Sequence, residues 1–156
     1  MPDYQRQPHD FATGETPSAA VFDGLPGGVV GVVTSSAATG GIGATEVTVC
    51  SRVVSVNASK LHLLVFQCNL ESTVANDKFR IRIKDGTTVL VFREHRCYTA
   101  NSYETVTVIG ESTALAGGSH TLTATIERVA GTGTGNETSA STSPKLLLCV
   151  ELGPNS

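Results

Sequence analysis

The sequence of 156 residues has no tryptophan, and its single methionine is Met1. Aromatic side chains of every kind are few, so a platform of flat rings for stacking on sugars has little to draw on. Charge of one sign is also lacking: 11 basic and 14 acidic residues are interspersed, with a net charge of −3. That balance gives no electrostatic footprint for nucleic acid or for an anionic membrane surface. The longest apolar run, "GLPGGVVGVV", falls well short of the ~20 residues that cross a bilayer, so no membrane insertion is expected. Residues 1–23 carry Asp3, Arg6, Asp10, Glu15 and Asp23 and lack the apolar core of a secretion signal, which points to synthesis in the cytosol. No Gly-x-Ser-x-Gly or comparable nucleophile motif occurs, and no catalytic residue or cofactor is expected. No ten-residue stretch carries a persuasive helical period.

What is present is β-branched and small. Valine, threonine, alanine and glycine dominate, a bias that favours an all-β domain. From Val29 onward apolar and polar residues alternate. "EVTVCSRVVSV" changes phase between Val47/Val49 and Val54/Val56, which suggests a bulge near Ser51–Arg52. "KLHLLVFQCNL" is apolar at both phases, as expected of a central strand covered on both sides. "KFRIRIKDGTTVLVFREHRC" reads as a hairpin turning at Asp85-Gly86, with Phe79, Ile81 and Ile83 inward and Arg80, Arg82 and Lys84 outward. "HTLTATIERV" places Leu122, Ala124 and Ile126 inside, with Thr121, Thr123, Thr125 and Glu127 outside. "KLLLCVEL" closes the pattern before Gly153-Pro154. The expectation is a jelly-roll-like β-sandwich of about eight antiparallel strands over residues 28–156.

Residues 1–27 are of another character. Four of the six prolines (Pro2, Pro8, Pro17 and Pro26) lie there, and apolar residues come singly. Such a segment buries no core of its own and reads as an extended anchoring arm. Tyr4, Phe11, Val21, Phe22 and Leu25 are spaced so that each could fill a pocket on a partner. The stretch "GTGTGNETSASTSP" (131–144) contains nothing larger than glutamate. It suits an exposed edge strand or a long return connection, with Pro144 stopping the ladder before the last strand.

Other constellations are weighed against plainer readings. Cys50, Cys68, Cys97 and Cys149 allow three disulfide pairings, but in a chain made in the cytosol they read as reduced core thiols. His95 and Cys97 share a strand face that Val89 and Val91 continue inward, and two ligands fall short of a closed zinc site. Asp77, Glu71 and Asp85 near hairpin ends fall short of the six to eight oxygens that calcium takes. Glu94 and Glu104 would form a glycosidase pair only if the fold brought them together. Arg80, Arg82 and Lys84 form a basic stripe, read either as a solvated face or as an interface for an acidic partner protein.

Four pieces carry a resemblance: "STVANDKFRIRIKDG", "AGGSHTLTATIERVAGTGTG", "SPKLLLCVELGP" and, in the arm, "FATGETPSAAVFDGLPGG". Together they resemble β-sandwich virion proteins of phages that infect actinobacteria, often labelled minor tail proteins. In this chain Asn76 stands where that pattern commonly has glycine. The resemblance implies a non-enzymatic structural role on a virion made in the bacterial cytoplasm. It implies capsid or tail proteins as partners, whether as a minor tail protein or as a capsid decoration protein or fibre. A homotrimer is expected from the small residues of "TSASTS", which let neighbouring backbones approach closely. The alternative function is a carbohydrate-binding module for glycans of the host envelope, with Tyr98 and Tyr103 as the available rings.

Overall fold

The computed structural model describes residues 28–113, 115–140 and 143–154. Ten strands occur among them: β1 (Gly28–Ser35), β2 (Thr39–Ile42), β3 (Val47–Val56), β4 (Lys60–Ser72) and β5 (Asp77–Asp85), then β6 (Thr88–Cys97), β7 (Glu104–Ser112), β8 (Gly118–Ala130), β9 (Gly135–Thr138) and β10 (Lys145–Pro154). They form two antiparallel sheets. One has the order β1-β10-β4-β9-β2, with β7 on β4; the other has the order β3-β8-β5-β6.

The ten strands reduce to eight. Strand β4 pairs with β10 through His62–Gln67 and with β9 through Asn69–Ser72. So β9 and β10 lie end to end along one side of β4, and β1 and β2 run end to end beside them. Counting each collinear pair as one strand gives sheet orders 1-8-3-6 and 2-7-4-5. This is a jelly roll, two interleaved Greek keys, and the domain is an all-β sandwich as the alternation anticipated.

The core lies between the sheets. Phe79, Ile81 and Ile83 of β5 are fully buried, as are Leu122, Ala124 and Ile126 of β8, and Leu64, Phe66 and Leu70 of β4 face them. Period-two alternation fixed this register, since a one-residue slip would turn every one of these side chains to the solvent. Asn76, in the tight β4–β5 connection, has φ of 66°, the left-handed region that asparagine tolerates where glycine is common.

Three local expectations need correction. The β3 irregularity sits at Val49, between Thr48 and Cys50, not at Ser51–Arg52. Thr125 points outward as expected but is buried rather than solvated, because the ladder covers it and its hydroxyl donates to Glu46. Val89 does not continue the inward face of β6: a register shift between Ile83 and Lys84 passes over Leu90 and turns Val89 outward.

The small-residue stretch at 131–144 has a specific cause in packing. Asp77 is buried, and its carboxylate accepts from Ser72 Oγ at 2.6 Å and from the Thr132 N–H at 3.1 Å. A methyl group on Gly131 would lie 1.8 Å from Asp77 Oδ1, and one on Gly133 2.3 Å from Asp77 Oδ2. On Gly135 it would lie 2.5 Å from the Phe79 ring. "GTGTG" is thus the path that lets backbone close over a buried carboxylate and an aromatic ring. The next strand is not the expected edge strand, since β9 is flanked by β4 and β2 and its Glu137 is fully buried. Ser139 and Ala140 then leave the ladder opposite Cys68, and the chain rejoins β4 at Leu146. A buried ion pair ties the neck of this excursion: Lys145 Nζ lies 2.6 Å from Glu137 Oε2 and donates to the Ala37 carbonyl at 2.6 Å. Ser139 Oγ donates to the other Glu137 oxygen.

Candidate functional site

The outer face of the β3-β8-β5-β6 sheet carries the basic stripe. Arg80, Arg82 and Lys84 alternate outward from β5 with Lys78, and acidic groups from neighbouring elements answer each of them. Glu94 on β6 takes Lys78 at 2.5 Å and Arg80 at 2.7 Å. Glu127 on β8 lies 2.5 Å from Arg82 and 3.6 Å from Arg80. Glu46, just before β3, takes Arg82 at 3.3 Å and Lys84 at 3.1 Å. The result is a ladder of four cations and three carboxylates, charge-compensated within one chain. The Thr125 hydroxyl, with Lys84 and Arg82, holds Glu46 below the usual carboxylate range, and Lys78 and Arg80 do the same for Glu94. Beside the ladder, Arg80, Arg82, Val89 and Phe92 line an open groove of roughly 380 Å³. Phe92 is 61% exposed there. Alternation along β6 places this ring outward, opposite Arg82, but one outward phenylalanine gives no sequence signal of a groove.

The other outer face is of opposite character. In β10 the inward positions are Lys145, Leu147, Cys149 and Glu151, all buried, while Leu146, Leu148, Val150 and Leu152 point out. Strand β4 repeats the inversion: Lys60 and His62 are buried, while Leu61, Leu63 and Val65 face outward and are half-buried. Cross-strand registry assembles these side chains into rows. Val32, Leu148, Val65 and Ile109 sit directly opposite one another across β1, β10, β4 and β7. Val29, Val150 and Leu63 form the next row, ending at Glu111. Val32 is 46% exposed and Ile109 61%. Among the described residues β4 is covered on one side only, where the sequence led us to expect cover on both.

Beneath this face, on the inner side, Glu151, His62 and Ser112 lie opposite one another on β10, β4 and β7. The types suggest a nucleophile, a base and an orienting acid, but the geometry does not assemble them. His62 Nε2 is 3.9 Å from Glu151, whose carboxylate is taken by the Asn57 N–H and side-chain amide. All three residues are buried. Burial pushes the His62 pKa down, against the pull of Glu151, so the ring stays neutral at neutral pH.

The remaining candidates separate. Glu94 lies in the ladder, whereas Glu104 accepts from the Tyr98 N–H and has His95 Nε2 at 3.0 Å, so the two carboxylates do not form a pair across one site. Asp77 is in the glycine knot, Glu71 accepts from Asn136, and Asp85 bonds His120. Among the described residues no group of three or more His, Cys, Asp or Glu is placed to hold a metal ion. All four cysteines are free and buried, as expected, and burial raises Cys68 to about 12 and Cys97 and Cys149 to about 11. Such thiols are inert at neutral pH. Tyr98 and Tyr103 are exposed around the β6–β7 connection. The arm residues Tyr4, Phe11, Val21, Phe22 and Leu25 lie outside the described residues. No helix among the described residues is long and apolar enough to cross a membrane.

No protein-family model matches the chain, and no curated protein matches it. Among solved structures it is similar to the Eiger TNF from S. frugiperda, at 11% identity and a TM-score of 0.40, over 67% of this chain and 66% of that one. It is also similar to a chain of infectious bursal disease virus Gx strain, at 12% identity and a TM-score of 0.41, over 79% of this chain and 38% of that one. For the Gt strain of that virus the values are 13% and 0.33, over 83% and 42%. The chain thus spans less than two thirds of each of these chains. The jelly-roll assignment rests on its own strand order.

Proposed function

We propose that this protein is a non-enzymatic structural component of a bacteriophage virion, attached through residues 1–27 and displayed on the particle surface. Capsid decoration, a short fibre and a minor tail position are the three placements this reading covers. The observation that carries it is the inverted phase of β4 and β10, which puts charges inside the sandwich and leucines outside. A chain that leaves a whole sheet face apolar is made to stand in an assembly. The sealed Glu151–His62–Ser112 row supports the non-enzymatic part, because a nucleophile must reach its substrate. The arm supplies the attachment: its separate hydrophobes could each contribute roughly 1.5–3 kcal/mol on burial in a partner's pockets, and its prolines lower the cost of ordering it.

The test is incorporation. A phage carrying Phe11→Ala with Phe22→Ala is expected to yield particles with a reduced copy number of this protein, and deletion of residues 1–27 particles without it. The melting temperature of the sandwich should be unchanged in both. Normal copy number in the truncated phage would overturn the arm's role, and absence of the wild-type protein from purified particles would overturn the virion reading. A second reading, binding of host-envelope glycans, is favoured by one feature: the exposed Phe92 beside Arg80 and Arg82. A glycan array decides it.

A further inference from the structure

The geometry points to the outer face of the β1-β10-β4-β7 sheet as the surface on which copies of this chain meet. This goes beyond the virion reading and does not depend on it, since the protein can self-associate whatever particle it belongs to. Four observations select a second copy as the occupant.

The face has no formal charge at its centre. Val32, Leu148, Val65 and Ile109 make one row, and Leu146 and Gln67 lie in the row beside it. Charged groups are depleted from the centres of protein interfaces in this way. An anionic or cationic partner would find nothing to answer its charge. A lipid surface would ask for a rim of lysine or arginine and interfacial aromatics, but the margin here carries Glu111 and threonines.

The size suits an interface. Leu146 to Leu152 spans ~20 Å and four strands span ~19 Å, an apolar centre of ~400 Å² in projection. Thr34, Gln67, Thr107, Asn69 and Thr105 continue the same face as a polar margin. Centre and margin together have the anatomy of an interface, an apolar core with a polar rim.

The face also runs to a sheet edge. Strand β1, "GVVGVVTS", ends the sheet and carries no charged residue and no proline, the residues that normally blunt a free ladder. Both edges of the sheet pack on the other sheet, Gly31 of β1 against Val54 and Arg52 and Gly110 of β7 against Val91, and at β7 Arg93 Nη1 also donates to the Thr107 carbonyl. An apolar face continuous with the β1 edge allows the edge of one copy to meet the face of the next, and such head-to-tail contacts form rings where the rotation between copies closes. A homotrimer is the smallest ring of this kind.

Finally, the inverted phase runs through two adjacent strands of this face, β4 and β10. The chain buries Lys60, Lys145 and Glu151 while leaving Leu61, Leu146 and Leu152 outside, the reverse of what a free sheet face requires.

The experiment is the mass of the full-length protein by light scattering and sedimentation over a range of concentrations. Wild type is expected at a multiple of 16.2 kDa, three chains for the ring. Val32→Lys and Ile109→Lys, at exposed positions that do not disturb the core, are expected to give a folded monomer with the wild-type circular dichroism spectrum. Arg82→Met, on the other sheet, should keep the wild-type mass. A monomeric wild type at high concentration would overturn the proposal, including the case in which residues 1–27 cover the face of their own chain. Retention of the wild-type mass by the folded double lysine variant would overturn it equally.

Discussion

The two outer faces of the sandwich obey opposite rules. On the β3-β8-β5-β6 sheet, four cations and three carboxylates satisfy one another within a single chain. On the β1-β10-β4-β7 sheet, the central outward rows are valine, leucine and isoleucine, and Lys60, Lys145 and Glu151 of the same strands are turned inward. The first face needs nothing further, since paired side chains at a surface lose little to water. The second leaves apolar area wet, a standing cost proportional to that area. The two faces therefore suit different environments: solvent for the first and, on the proposal above, a second copy for the second.

Holding an apolar face flat requires its strands to stay in register, and here the largest effect is expected. Glu137 in β9 and Lys145 in β10 bridge the neck of the excursion and reach the β1–β2 junction through the Ala37 carbonyl. Glu137→Ala leaves a 2%-exposed ammonium without its carboxylate. Breaking a buried pair from one side costs about 3–5 kcal/mol, a large share of a domain's stability. Urea denaturation should show a loss of this size, and much of it should return in Glu137→Leu with Lys145→Leu. Hydrogen exchange should show β1, β9 and β10 losing protection while β5 and β8 keep theirs. Uniform loss in both sheets would break the distinction between them.

Much of this was legible in the sequence, and the illegible part has a common cause. Alternation in "KFRIRIKD" gave the core face and the ladder face together, because both depend on a period of two. The double-sided apolarity of "KLHLLVFQCNL" was also legible, and its outer half stays half-buried among the described residues. Illegible were the contacts that join distant residues. Nothing near Asp77 announces that Gly131 and Gly133 close over it, and charged residues such as Lys145 and Glu151 at strand ends read as solvated. Bulges were the other loss: one skipped residue, Leu90, moved Val89 to the outside.

Acid should separate the faces further, with an intermediate effect. The folded pKa of His62 is depressed below its ordinary 6.5 by burial, so it stabilises the fold above about pH 6.5 and loses that contribution as pH falls through the lower folded value. Glu46 and Glu94, also depressed, hold their contribution above about pH 4.5 and lose it below. His120 runs the other way: its Asp85 hydrogen bond raises it, so its contribution is full below about 6.5 and fades as pH rises through the raised value. The melting temperature should fall on acidification, first through His62 and then through the ladder. His62→Leu should flatten the first part, because an unpartnered buried ring is replaced by an apolar group. Self-association should stay constant from about pH 5 to 8, as no titrating group stands at the centre of the apolar face. An association constant that tracked the melting temperature would contradict this.

The smallest effect is expected on the charged face, and its smallness is informative. Arg82 sits at the middle of the ladder, donating to Glu127 at 2.5 Å and lying 3.3 Å from Glu46. Its side chain is only 15% exposed, so the methylene stem packs over β8 and β6 while the guanidinium reaches both carboxylates. Arg82→Met keeps the stem and removes the charge. Glu46 retains Lys84 and the Thr125 hydroxyl, and Glu127 retains Arg80 at 3.6 Å, so neither carboxylate is stranded. Pairs that water can still reach contribute about 0.2–1 kcal/mol each, so the loss should stay within roughly 1–2 kcal/mol and shrink further in high salt. The oligomer's mass should not change. A shift in mass, or a loss as large as that of Glu137→Ala, would mean that the ladder is itself an interface and that the partner sits on the charged face.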